Sequence, residues 1–447
     1  MIRSYRSTMF SGASRSAILL TGFMLSALPG CSNLMREETA QAAAPAETAV
    51  VPTLVSLPAP PAPVLPPPPS EALPFEAAVE RAAAELFASV PAGVRPGTGP
   101  QMVVIDPLVD GAAGGQTAAT RRMEERLATF IRASQPGYDL KPLNTETISR
   151  SPLVLVGSVR GAGPDGLAPG VPQAYRIWFS LADLKTGTVV GHGMAWARTD
   201  GVDAEPTEFF RESPAWVVDS GIKGYLRTCL SKVGEPVDPS YLDGILAAAL
   251  IADGIQAYEA GRFEAALDLF RAAERTPAGN QLRVHNGLYL ANWRLGRDGD
   301  AEAAFSRLVD FGLKHDRLAL MMLFRPASTA YWPDPEITGS YDMWLRQVAR
   351  RTGPSGRCLE LVGHTSPSGP MALNEQLSLA RAEKVWQDLA RQSIEVSDRV
   401  TTRGVGSSEA IIGTGRDDSS DMLDRRVEFR PMDCQSQASA IQARTIG

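Results

Sequence analysis

From Phe75 to Val90 the apolar residues Ala78, Val79, Ala82, Leu86 and Phe87 fall on one side of a 3.6-residue period, which predicts an amphipathic helix. Met102-Val103-Val104-Ile105 is a short continuous apolar run and predicts a strand. Helical spacing returns from Ala118 to Ile131 and stops ahead of Pro136. Leu153 to Gly157 and Ala174 to Leu181 predict two further strands. Lys185-Thr186-Gly187 predicts a turn into a return strand at Thr188-Val189-Val190. Helix, strand, helix, strand and hairpin is an α/β order, which assigns residues 76–236 to an N-terminal α/β domain.

Residues 246–315 read as helical throughout. Gly254, Ala257, Gly261, Phe263, Ala266, Phe270 and Ala273 form a pattern that Gly296, Ala301 and Phe305 partly repeat. Small residues at these places let antiparallel helices approach while the aromatics fill the groove between them. The spacing resembles tetratricopeptide repeats, although two copies are fewer than usually stand alone, so a neighbouring domain is expected to cover them. An ordinary helical hairpin linker is the alternative. The order of elements at 76–236, with its strand ending in Gly157-Ser158 and its hairpin from Tyr175 to Val190, resembles the LpoB and CsgG kind of periplasmic lipoprotein domain. From residue 318 strand and helix alternate: strands at Leu320–Phe324, Cys358–Val362 and Val427–Arg430, helices at Tyr341–Arg350 and Leu373–Arg391. The expected fold class is therefore multidomain α+β, with the last domain over 318–434 and a disordered tail over 435–447.

The 447 residues exceed one core, and 34 of them are proline. Many prolines sit in an Ala/Pro/Thr-rich segment within 31–75, including Pro58-Ala59-Pro60-Pro61 and Pro66 to Pro69. Such a segment cannot bury enough apolar area to fold, and at about 3.1 Å per residue it reaches roughly 130 Å when extended. It predicts a spacer. Ahead of it, residues 1–30 carry Arg3, Arg6 and Arg15, then an apolar run from Ala17 to Ala27 too short to span a bilayer comfortably. The run ends in Leu28-Pro29-Gly30-Cys31-Ser32, which resembles the lipobox of bacterial lipoproteins. That resemblance implies a lipid on Cys31 and, with Ser32 following, delivery to the periplasmic face of an outer membrane. A plain secretory signal is the alternative. Loss of residues 1–30 removes three arginines and no acids, so the formal charge moves from −6 to −9, which argues against a nucleic-acid partner. Export implies an oxidising compartment in which Cys358 and Cys434, bracketing the last domain, can pair and leave Cys229 odd. His192, His285, His315 and His364 are scattered without metal spacing, and no cofactor is implied.

The residues that carry chemistry gather after Gly363. Gly363-His364-Thr365-Ser366-Pro367-Ser368-Gly369 is turn-rich, and its backbone amides can face a carboxylate. The helix from about Leu373 directs its first turns to the same place, a favourable setting for an anion. On it Asn374, Ser378 and Arg381 project from one side, and Leu377, Ala380 and Lys384 from another. Arg381 offers a planar fork for bidentate carboxylate binding. Asp424-Arg425-Arg426-Val427 follows. In order and separation these segments resemble the OmpA-like signature, written G-H-T-D, N-x-x-L-S-x-x-R-A and N-R-R-V. The resemblance implies an α/β sandwich that binds peptidoglycan non-covalently, with Thr365, Ser366, Asn374, Arg381 and Arg425 at the site. Arg381 would grip the free carboxylate of diaminopimelate in the stem peptide, with Arg425 at the same pocket. One position departs. The family's aspartate after His-Thr, which pairs with ammonium or amide groups, is Ser366 here, while Asp424 replaces an asparagine and can restore charge nearby. Either the site binds in altered form, or the two arginines have turned to internal salt bridges.

The expected function is a lipid-anchored scaffold that binds peptidoglycan and recruits an unidentified periplasmic protein through its helices. The alternative is a lipoprotein activator of a peptidoglycan synthase, with residues 76–236 as its working end. Nucleophile-elbow, zinc-protease and phosphate-loop patterns are absent, so an enzyme is not expected.

Overall fold

A computed structural model describes residues 72–97, 99–163, 171–216, 218–316, 318 and 320–435. The signal over 1–30, Cys31, the spacer through residue 71, the glycine-rich stretch 164–170 and the tail from 436 lie outside the described residues.

The first part runs α1 (Phe75–Ser89), β1 (Gln101–Ile105), β2 (Val109–Asp110), α2 (Ala118–Ser134), β3 (Tyr138–Lys141), α3 (Thr145–Ser149), β4 (Leu153–Ala162), β5 (Ala174–Asp183) and β6 (Thr188–Ala197), then α4 (Glu208–Glu212) and α5 (Ser220–Leu230). Its sheet has the order β3-β1-β4-β5-β6, with β2 beside β4. β3, β1 and β4 are parallel, and β5 and β6 join antiparallel as a hairpin. Both faces are covered, as a parallel sheet requires. Val103, Leu153, Leu155, Ile177, Phe179 and Leu181 meet α1 and α2, while Val104, Val154, Val156, Ala182 and Val189 meet Ile222, Tyr225 and Cys229 of α5. α2 starts where Thr117 and Thr120 cap each other reciprocally.

Four helices follow: α6 (Pro239–Glu259), α7 (Phe263–Glu274), α8 (Leu282–Arg294) and α9 (Asp298–Lys314). They pack as consecutive neighbours around the fully buried ring of Phe270, which lies against the backbone at Gly254 and Gly287. α6 has two apolar faces. Tyr241, Ile245 and Ala249 complete the core under the first sheet, whereas Ala247, Ile251 and Ile255 belong to the helical core.

The last part comprises β7 (Met321–Leu323), α10 (Pro335–Thr338), α11 (Tyr341–Ser355), β8 (Cys358–Gly363), α12 (Met371–Gln392), α13 (Ile394–Ser397), β9 (Val400–Gly404), a short 3-10 helix (Ser419–Asp424) and β10 (Arg426–Met432). The sheet order is β7-β10-β8-β9. β8 and β9 are parallel, joined through α12 as parallel neighbours must be by a long crossover, and β10 is antiparallel to β7 and β8. α11 and α12 cover one face with Trp344, Val348, Ala382, Val385 and Leu389 against Leu359, Leu361, Val427 and Phe429. That core continues without a break into α8 and α9: Trp344 Nε1 donates to Tyr289 Oη at 2.9 Å, and its ring stacks on Phe305 at 5.3 Å. A disulfide joins Cys358 to Cys434, and Cys229 is a buried free thiol. Among the described residues no helix is long and apolar enough to cross a membrane.

Where α6 meets the first sheet, Asp106 is buried just beyond β1 and accepts a hydrogen bond from Tyr241 Oη at 2.6 Å. Burial raises its pKa to about 6, and the Tyr241 hydroxyl and the charge of Arg283 only partly oppose this. A carboxyl group whose pKa is higher folded than unfolded stabilises the fold most below its unfolded pKa. That contribution is lost as pH rises through about 6, and it amounts to on the order of 2–3 kcal/mol. Asp106→Asn is therefore expected to flatten the decline in stability between pH 4.5 and 7.5. Denaturant midpoints of both proteins at the two pH values check this, and equal slopes would contradict it.

Candidate functional site

β8 ends at Gly363, whose Cα abuts α12 so closely that an added Cβ would fall 1.8 Å from the Ser378 carbonyl oxygen. This contact sets the loop after β8 directly on the first turns of α12. The His364 and Thr365 amides are already committed, to the carbonyls of Arg426 and Gly406. Asn374 Nδ2 ties the loop down by donating to Ser368 O at 2.9 Å, and Ser378 Oγ accepts from Gly406 N at 2.9 Å. Asn374, Ser378 and Arg381 are polar residues of the N-terminal half of α12 that are buried along with the apolar Ala382, Val385 and Leu389.

Arg381 is fully buried. Its Nε donates to Ser328 O, Nη1 to His364 O and Nη2 to Arg325 O, each at 2.9 Å, while the Phe324 ring lies 5.3 Å away. Of the five N–H groups of a guanidinium, three are thus given to backbone carbonyls. Arg381 acts here as a clamp on the segment between β7 and α10. Burial, followed by the neighbouring charge of Arg425, lowers its pKa to about 10, so it stays charged at neutral pH.

Arg425, which follows the 3-10 helix, donates from Nη1 to Asp417 Oδ1 and from Nη2 to Asp418 O, both at 2.8 Å, and sits 5.4 Å from the Trp332 ring. Ser366 Oγ donates to the same Asp417 Oδ1 at 2.7 Å. Ser366 and Arg425 therefore meet on one carboxylate, that of Asp417, and Arg381 is close enough to feel the charges of Arg425 and Asp417 while its own N–H groups go to main-chain carbonyls. Thr365, next in the chain to Ser366, has its Oγ1 buried and without a partner among the described residues.

Asp424 does not supply charge to Ser366. Its carboxylate accepts from the backbone N–H groups of Ile411, Ile412 and Gly413 and holds the loop before the 3-10 helix. The acid at the site is Asp417. It stands in a Gly/Asp/Ser stretch that reads simply as loop, with no motif spacing to mark it. The clamped carbonyls of Arg325 and Ser328 are equally silent in sequence, because backbone groups leave no pattern. His364 is buried with its pKa held well below the usual imidazole value, by burial and then by the charge of Arg426. No group of three or more His, Cys, Asp or Glu side chains suited to a metal occurs among the described residues.

No family model matches this chain, and no curated protein matches it. Solved structures do match in part. The peptidoglycan-associated lipoprotein from Burkholderia pseudomallei is 23% identical, covering 26% of this chain and 92% of its own, with a TM-score of 0.22. The periplasmic domain of Helicobacter pylori MotB is 19% identical over 27% of this chain and 75% of its own, TM-score 0.21. The OmpA-like domain of FopA1 from Francisella tularensis subsp. tularensis SCHU S4 is 17% identical over 25% and 68%, TM-score 0.21. Each likeness concerns about a quarter of this chain, and no family match covers the first sheet or the helical array.

Proposed function

We propose that this chain is a non-catalytic envelope protein whose C-terminal region binds the diaminopimelate-containing stem peptide of peptidoglycan. The observation that carries the reading is the meeting of Ser366 and Arg425 on the Asp417 carboxylate, with Arg381 close by. Ser366, Arg381 and Arg425 are residues of an OmpA-like signature, and a guanidinium offers a carboxylate ligand charge-assisted hydrogen bonds. In this proposal Cys31 carries the lipid that holds the chain at the periplasmic face of the outer membrane. The proline-rich spacer carries the folded part towards the wall. The helices α6–α9 recruit a periplasmic protein.

The test is co-sedimentation of the mature protein with purified sacculi. Wild type pellets with the sacculi, free diaminopimelate releases it, and Arg425→Gln pellets at least about tenfold less, the loss expected for a charge-assisted contact. Wild type remaining in the supernatant would sink the reading. A regulatory form of the same proposal makes residues 76–236 the part that stimulates a peptidoglycan synthase, with the wall-binding region as its locator. It is measured as synthase rate with the intact protein present.

A further inference from the structure

Beyond the end of β1 lies a small cavity enclosed by the loop leading to α2, by α5 and α6, and by the start of α8. We propose that this cavity is a binding site for the head of a small primary amine, with Asp106 and Gln116 as its acceptors. None of the lining residues belongs to the OmpA-like signature, so the site is separate from the wall-binding reading.

Topology singles out the place. β1 leads through α2 to β3 on one side, while β4, reached from β3 through α3, lies on the other side of β1. Met123 and Leu127 of α2 pack on one face of the sheet and Ile148 of α3 on the opposite face. The strand order therefore reverses at β1. Open α/β sheets hold their ligands in the crevice beyond the carboxyl ends of the strands at such a reversal. Asp106 directly follows β1, and its amide ties it to β4 by donating to Leu155 O at 3.0 Å.

A second observation is independent of topology and points to a donor. Asp106 is 6% exposed and Gln116 2%, and both line the cavity. Each has one end engaged: Asp106 Oδ2 accepts from Tyr241 Oη at 2.6 Å, and Gln116 Nε2 donates to Glu124 Oε1 at 3.0 Å. Asp106 Oδ1 and Gln116 Oε1 form no hydrogen bond among the described residues. Buried polar groups are normally paired, and two unpaired acceptors in one wall call for a donor between them.

Charge calls for a cation. With its pKa raised by burial to about 6, Asp106 is mostly ionised at neutral pH, and the neighbouring Glu124 is a second buried acid, raised to about 7. Arg283 is the only cation among the lining residues; its Nη2 donates to Gln281 Oε1 at 3.3 Å, and it makes no ion pair among the described residues. A buried carboxylate without a cationic partner is costly, and an ammonium relieves that cost. Size limits the ligand. The cavity measures about 30 Å³, against roughly 10–15 Å³ for one water, so it takes an ammonium and its first methylene. Phe210, Ile251 and Ile255 give the rest of the wall an apolar surface suited to a methylene stem.

The experiment is calorimetric titration of the intact protein with n-butylammonium, with butyltrimethylammonium, which keeps the charge but has no N–H, and with n-butanol, which is uncharged. Wild type is expected to bind the first saturably and the other two at least about tenfold more weakly. Asp106→Asn keeps an acceptor for Tyr241 but removes the charge, and it should lose at least about tenfold in affinity. Ala248→Leu fills the cavity from α6 and should abolish binding with Asp106 and Gln116 unchanged. Absence of saturable binding by wild type would mean that water alone fills the cavity, and it overturns the proposal. Equal affinity for butyltrimethylammonium overturns it too, as does undiminished binding by either variant. Circular dichroism of each variant separates lost binding from a lost fold.

Discussion

Arg381→Ala is expected to unfold the C-terminal region before it reveals anything about ligand binding. The fully buried guanidinium joins three carbonyls from two separate segments, those of the exposed Arg325 and half-buried Ser328 before α10 and of the buried His364 after β8. Alanine leaves all three without donors and a cavity where the side chain lay. A buried polar group left unsatisfied costs about 1–3 kcal/mol, so a loss of at least about 3–5 kcal/mol is expected. That is a large share of the ~5–15 kcal/mol that holds a typical domain together. Arg381→Lys retains the charge but cannot reach three carbonyls with the geometry of a planar fork, and it should fall between the two. Urea melts followed by near-ultraviolet circular dichroism measure the difference. An alanine variant within about 1 kcal/mol of wild type would refute the clamp. For this reason a binding defect in Arg381→Ala is uninterpretable alone, and Arg425 and Asp417 are the better probes of the pocket.

Opening the Cys358–Cys434 disulfide is the second large effect. The bond spans 76 residues and ties the start of β8 to the end of β10, strands already paired at Cys358 and Met432. By the chain-entropy estimate, a loop of that length restrains the unfolded chain by about 4 kcal/mol. Cys358→Ser/Cys434→Ser should lose that amount, and reductant should destabilise wild type but leave the double variant unchanged. Cys229 does not confuse the result, because it is unpaired and buried beneath the first sheet. Insensitivity of wild-type unfolding to reductant would show that the bridge contributes nothing.

Much of the fold is written in periodicity. Phe75–Ser89, Ala118–Ser134, Ala174–Asp183 and Cys358–Gly363 fall close to where their apolar patterns place them. Departures have physical causes. β6 runs on to Ala197, well past Val190, through Gly191 and Gly193. A Cβ at Gly193 would sit 2.0 Å from the Ala82 carbonyl oxygen, so glycine there lets α1 lie directly on the strand. β9, Val400–Gly404, is only partly buried, and its sequence Val-Thr-Thr-Arg-Gly carries too little apolar alternation to be seen. α12 starts two residues before Leu373, at the exposed Met371, because Pro370 fixes its entry. The candidate site divides in the same way. Of the side chains with motif spacing, Ser366 and Arg425 share the Asp417 carboxylate, while Arg381 is given to main-chain carbonyls. Their partners are not legible in the sequence, since Asp417 lies in featureless loop and the clamped groups of Arg325 and Ser328 are main-chain atoms.

The two-faced helix α6 bears on how the chain can be divided. Cutting near residue 236, where the α/β pattern ends, leaves the first sheet without Tyr241, Ile245 and Ala249, while cutting after Glu259 strips Ile251 and Ile255 from the helical array. Either fragment would carry a raw apolar face into solvent, inviting aggregation. The boundary visible in the sequence is therefore a change of architecture without a seam, and the first sheet, the helices and the last region have to be produced as one piece.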